Sequence, residues 1–278
     1  MEGEGRSDME YTYTEIQTNT AYLDNSIIFH VVKNVVGFIL YMHQQIPSVL
    51  QDISFEYETF KEEYKELETA LAQAEPKASV RRKNLSRRRE VKGGIRRLDK
   101  LMNTVNRLES ALQLIINEIP NLESFLLVLG ASPLRPQHVY ELCFSHGGPV
   151  LTASTDFSTS RAAEGLSRKA VRTLITMDAG SGSYPGPTKL FLFVKVPSSL
   201  NLPLHFLPKR DFRYSKKIVP VRLRLKCKSQ DLEIDVPDCA SQRNTSISLK
   251  DSSSNDLIWF QCRHVIKGLA FTTPTDQE

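Results

Sequence analysis

Apolar residues recur at helical spacing early in the chain. Ile27, Ile28, Val31, Val32, Val35, Val36, Ile39 and Leu40 line about three turns, and Pro47 lies just past them. The stripe is wide and β-branched, so it predicts a helix buried in a core. A narrower stripe follows: Phe60, Tyr64, Leu67 and Leu71 share one face, with glutamates, Lys61 and Lys65 on the other, predicting a peripheral helix. Leu98, Leu101, Val105, Leu108, Leu112, Ile115 and Ile119 then alternate steps of three and four up to Pro120. That heptad seam predicts one long core helix, with a coiled coil as the alternative. Residues 125–130 read as a buried strand, Pro133 and Pro136 as a turn, and residues 138–144 as a short strand or extended arm. From Ser160 a further helix carries Ala163, Leu166, Ala170, Val171, Leu174, Ile175 and Met177, and the glycines from Gly180 stop it.

Three strands are expected in the remainder. Residues 190–196 read as a strand, apolar at every position but Lys195. Val221, Leu223, Leu225 and Cys227 alternate with Arg222, Arg224, Lys226 and Lys228. The last, residues 256–271, holds the only Trp, Trp259, close to the C-terminus. Such a dense β-former run belongs in a sheet, where Trp259 and Phe260 would lie on opposite faces of an internal strand. Residues 197–215 form a long excursion between two strands. Helices first and strands later predict an α+β fold, with three core helices packed on a mostly antiparallel sheet that the C-terminal strand closes.

Composition adds boundaries. The chain has 278 residues, 40% hydrophobic and 24% charged, as in a soluble globular protein. Residues 1–22 read as a disordered tail, 23–271 as one domain and 272–278 as a disordered end. Between 77 and 97 stand ten Lys or Arg against one acid, Glu90, a local +9 in a chain of net charge +4. With Gly93-Gly94 inside it, the stretch at about 76–97 reads as a mobile basic insert. It is either a solvated loop or a nuclear-import or nucleic-acid contact, the import run being Arg81, Arg82, Lys83, Arg87, Arg88 and Arg89. No aromatic residue interleaves these cations, which counts against a single-strand platform and makes nucleic acid the lesser reading. Ser86 follows Arg82 and Lys83 at a spacing that suits a basophilic kinase.

Catalytic patterns are lacking. Cys143, Cys227, Cys239 and Cys262 have neither zinc nor CxxC spacing, and read as reduced thiols of a cytosolic or nuclear protein. The sequence contains no GxSxG, HExxH or phosphate loop, and Cys143 with His146 is a weak nucleophile pair. No enzyme activity, cofactor, metal or membrane span is expected, so the positive content lies in surfaces. The helix around Arg168 and Arg172 carries more apolar positions than one core face needs. Ala170 and Leu174 can point inward while Val171, Ile175 or Met177 point elsewhere, as a partner face would require.

Four segments resemble a known family in the same order. These are Tyr41-Met42-His43-Gln44-Gln45-Ile46-Pro47; Leu127-Val128-Leu129-Gly130 with Tyr140-Glu141-Leu142; residues 168–178; and Ile258-Trp259-Phe260-Gln261 followed by Lys267-Gly268. They resemble the HORMA-fold family, and within it the binding proteins of the spindle-checkpoint factor Mad-two. The resemblance implies a non-enzymatic adaptor that forms a heterodimer with closed Mad-two. It also implies delivery of Mad-two to a pachytene-checkpoint-type AAA+ ATPase, disassembly of the mitotic checkpoint complex and checkpoint silencing. Met42, His43, Gln44, Arg168, Val171, Arg172, Leu174 and Ile175 would form the partner face. Ile258, Trp259, Phe260 and Gln261 would be a self-locking tail strand at the edge where such folds capture a peptide. Other HORMA proteins are further candidate partners, and the implied location is nucleus and cytoplasm, with spindle or kinetochore in mitosis. The alternative class is a nucleic-acid-associated scaffold using the basic run 77–97.

Overall fold

The structure, a computed structural model, describes residues 13–18, 20, 22–73, 78–119, 122–146, 156–177, 180, 186–215, 217–227 and 257–269. Its order is β1 (Thr14–Gln17), α1 (Asn25–Met42), α2 (Leu50–Gln73), α3 (Ala78–Glu118), β2 (Ser124–Ser132), β3 (Arg135–Ser145), α4 (Asp156–Thr176), β4 (Lys189–Pro197), β5 (Phe206–Lys209), β6 (Val221–Lys226), β7 (Leu257–Cys262) and β8 (Ile266–Lys267). This is an α+β architecture with a mixed sheet, ordered β1-β6-β3-β2-β4-β7-β5, with β8 also on β4. β6 pairs in parallel with β1 and β3; the other pairings are antiparallel.

The helices cover one face of the sheet. Asp24 starts α1 by accepting the Ile27 amide at 2.7 Å, satisfying one of the donors that a helix start leaves open. All eight apolar residues of its predicted stripe are buried. α1 is the one helix among the described residues long and apolar enough to cross a membrane, and here that stripe packs against the protein's own core. α3 packs on one side of it and α4 on the other, while α2 lies on α3. β2 alternates across the sheet: Phe125, Leu127 and Leu129 face the helices, while Leu126 and Val128 face the back. The excursion after β4 covers that back face, where Phe212 stacks on Phe193 with ring centroids 4.1 Å apart. β4 is therefore buried on both faces from Leu190 to Val194, which accounts for the apolar run there.

Several sequence expectations are corrected. Thr14–Gln17, placed in a disordered tail, is a strand beside β6 with Ile16 buried. The remainder of residues 1–12 and 272–278 lies outside the described residues. The basic stretch is no linker: from Ala78 it is the first half of α3, and Gly93-Gly94 sits within the helix. Gly94 is buried where α2 crosses, and a Cβ there would lie 3.1 Å from Phe60 Cε2. Arg87 forks onto Glu63 of α2 at 2.6 and 3.0 Å, and Val91 is buried. There are thus four helices among the described residues, of which α2 is peripheral. The excursion contains a strand, β5, and the last predicted strand breaks at Arg263 into β7 and β8.

Candidate partner-binding site

α4 presents the candidate face. Ala163, Leu166, Ala170 and Leu174 are buried against the core, one residue every three or four. Val171 is half-buried, whereas Ile175 keeps 57% of its surface exposed. Helical spacing puts Arg168, Val171 and Ile175 on one flank, with Arg172 exposed beside them. Arg168 pairs with Glu164 one turn earlier on that flank. The opposite flank is closed by β1: Lys169 donates to the Gln17 carbonyl at 3.0 Å, and the Thr14 hydroxyl donates to Met177 Sδ at 3.5 Å. Leu174, fully buried, belongs to the core and is removed from the candidate face.

The end of α1 adjoins the end of α4. Gly180 adopts φ +109, a conformation open to glycine, and a Cβ there would sit 2.5 Å from Met42 Cγ. Met42, half-buried, is thus seated against the turn that leaves α4. The chain then turns sharply. The Gln44 amide donates to the Tyr41 carbonyl at 2.9 Å and the Gln45 amide to the Leu40 carbonyl at 2.8 Å. These two bonds form a Schellman cap whose left-handed position is Gln44, at φ 53 and exposed. Glycine is the residue that takes this conformation without steric cost.

His43 departs from the expected site. It is 8% exposed, and its Nε2 shares a 2.5 Å hydrogen bond with the Tyr140 hydroxyl on β3. Its ring lies 4.1 Å from that of His138. Burial, with His138 as a second cause, lowers its pKa to about 4, so it is neutral at physiological pH. His43 ties the end of α1 to the sheet and is buried in the free chain, unlike Met42 and Gln44 beside it. Of the expected face, Met42, Gln44, Arg168, Val171, Arg172 and Ile175 remain accessible.

Gln45, adjacent to the expected residues and absent from them, is a principal tie of this end of the fold. It is fully buried; its Nε2 donates to the His43 carbonyl at 2.8 Å and its Oε1 accepts the Thr188 amide at 2.7 Å. Its carbonyl accepts the Leu269 amide at 2.8 Å. A buried polar side chain held by backbone groups, among them the amide of Thr188 on a distant segment, carries no periodic signal, so the sequence did not single it out.

In the tail strand, β7 is internal, between β4 and β5, with Phe260 opposite Val194 on one side and Pro208 on the other. Phe260 enters the helix-side core, and Trp259 packs on the back-face cluster. Ile258 and Gln261 are half-buried. The import run Arg81, Arg82, Lys83, Arg87, Arg88 and Arg89 lies on α3, where Ser86 is also exposed.

The Cys143–His146 pair is not assembled for nucleophilic chemistry. Burial, followed by Glu141, pushes the Cys143 thiol up to about 11. Both ring nitrogens of His146 face backbone carbonyls, of Leu23 and Leu122. Among the described residues no group of three or more His, Cys, Asp or Glu could hold a metal ion. No model of a known family matches the sequence, and no curated protein matches it.

Proposed function

We propose that this chain is a non-enzymatic adaptor of HORMA-like fold that pairs with the closed conformer of Mad-two through α4 and the end of α1. The reading rests on the resemblance of four segments to the comet protein, a HORMA-fold partner of Mad-two. The observation that carries it is the exposure of Ile175, 57%, on a helix otherwise anchored in the core. Apolar surface held open on a basic flank is recovered when a partner covers it. Gln44 adds a second support. A non-glycine residue held at φ 53 is a local strain, and such strain concentrates at binding positions.

In this reading the adaptor acts by selecting one conformer, because a ligand shifts an equilibrium only by its differential affinity for the two states. The bound Mad-two is presented to a hexameric AAA+ ATPase of the pachytene-checkpoint type, which supplies the hydrolysis. Closed Mad-two is opened, the checkpoint complex comes apart and the spindle checkpoint is silenced. The internal position of β7 fits a fold whose own tail fills the peptide-capture position. Co-purification with Mad-two locked open or closed tests the pairing. Retention of the closed form alone is expected; equal retention of both forms, or of neither, removes it.

A further inference from the structure

Beside the C-terminal strands runs a cleft that the adaptor reading does not use. Its volume is about 470 Å³, and it lies between α3 and the segment from Val265 to Leu269. Arg97, Lys100 and Arg107 line it from α3 and Lys267 from β8; Leu101 and Leu269 supply apolar wall, and no acidic residue lines it. None of the four cations has a carboxylate partner among the described residues. All four are exposed. A second cavity of about 360 Å³ adjoins it along α3 and shares Arg97 and Leu269. There Phe60, Val91 and Leu98 supply apolar wall, Glu56 and Glu90 also line the cavity, and Arg87 is already held by Glu63 and Glu90.

We infer that this cleft binds an acidic, extended polypeptide segment of a partner protein. Unpaired cations around a concave site raise the local concentration of an anionic ligand and fix its register. The shape decides which anion. From Arg97 to Arg107 the helix rises roughly 15 Å, too far for one phosphate to bridge. A half-open cleft of this volume with an apolar wall suits side chains of a peptide, and no aromatic residue lines it to stack a base. Acidic side chains fall to Arg97, Lys100, Arg107 and Lys267, and an apolar one to the adjoining cavity. α1 separates α3 from α4, so this surface is distinct from the candidate Mad-two face and the inference stands without that reading.

The test uses the full chain and a fluorescein-labelled peptide of glutamates flanking a central leucine–valine pair, read by anisotropy. The wild type is expected to bind it. Lys100→Glu with Arg107→Glu weakens binding about tenfold or more, whereas Arg82→Glu with Arg89→Glu, exposed on the same helix outside the cleft, changes it less than about twofold. Lys267→Glu, on the other wall, is a second variant should the first pair disturb α3. Three results would overturn the inference: no binding by the wild type, equal loss in both α3 pairs, or tighter binding of a short DNA duplex that the Lys100 and Arg107 changes abolish. The second would mean diffuse charge and the third a nucleic-acid site.

Discussion

Gly268 lies so close against Gln45 that a Cβ on it would fall 2.0 Å from Oε1 and 3.2 Å from the Thr188 amide nitrogen. The side chain of Gln45 cannot swing away freely, because that same oxygen accepts the Thr188 amide. The end of α1, the start of β4 and the last strand thus meet at one buried amide. Gly268→Ala is expected to destabilise the protein by about 1–3 kcal/mol, the range for overpacking a tight site. Gln45→Ala leaves the Thr188 amide unpaired and costs about as much. It also empties the space the new methyl needs, so the double variant should lose clearly less than the two single losses together. Urea unfolding of the four proteins measures this, and simple additivity would show that the two residues do not share the site.

Protons test the His43 anchor. With its pKa held near 4 in the folded state, against about 6.5 when unfolded, the unfolded chain binds the extra proton between those values. Its contribution to stability is therefore full above pH 6.5 and is lost as pH falls towards 4, by up to about 3 kcal/mol. Burial also lowers the pKa of His138, which adds in the same direction. Thermal melts from pH 7 to pH 4 should show this fall, and His43→Gln should flatten it. An unchanged slope in the variant would remove His43 as its cause.

Gln44→Gly separates strain from function. Glycine at φ 53 relieves the left-handed cost, so the variant should be stabilised by up to about 1 kcal/mol. If the strained glutamine serves the partner face, the same variant binds closed Mad-two more weakly. A variant that is both more stable and equally tight would show that Gln44 is only a cap.

Excising residues 77–97 should unfold much of the helix layer, because it removes half of α3 together with Val91 and the Gly94 crossing. Amides from Arg81 to Arg89 should show helical protection in hydrogen exchange. Exchange at random-coil rates there would restore the linker reading.

Truncation at Asn255 removes β7 and β8, including Phe260, which is 3% exposed. The loss of Phe260 alone costs about 3–5 kcal/mol, and the edges of β4 and β5 lose their partner. A truncated chain melting at the full-length temperature would show β7 to be an appendage.

What the sequence disclosed followed its periodicity. α1, the seam of α3 from Leu98 and the buried face of α4 were legible because apolar positions repeat every three or four residues. So were Leu190 to Val194, buried on both faces. The first half of α3 was hidden because arginine and lysine favour helix without producing a stripe, and Gly93-Gly94 read as an interruption. In the structure Gly94 is a crossing point for Phe60. β1 was hidden because Ile16 is its one buried residue, and its partner β6 lies some two hundred residues away. Within the candidate face, helical spacing allowed Leu174 to point inward and Ile175 outward, but it could not sort His43 from Gln44. His43 is buried through a bond to Tyr140, a contact 97 residues distant.

The adaptor reading is tested most directly by titrating closed Mad-two into the wild type and Ile175→Glu, with both melts recorded. A charge at an exposed position leaves folding nearly unchanged, whereas one buried at an interface remains unpaired. The expected result is binding weakened at least about tenfold with the melting temperature retained. Wild-type affinity in the variant would contradict the assignment of α4 as the partner face, and loss of the cooperative melt would show Ile175 to be part of the core.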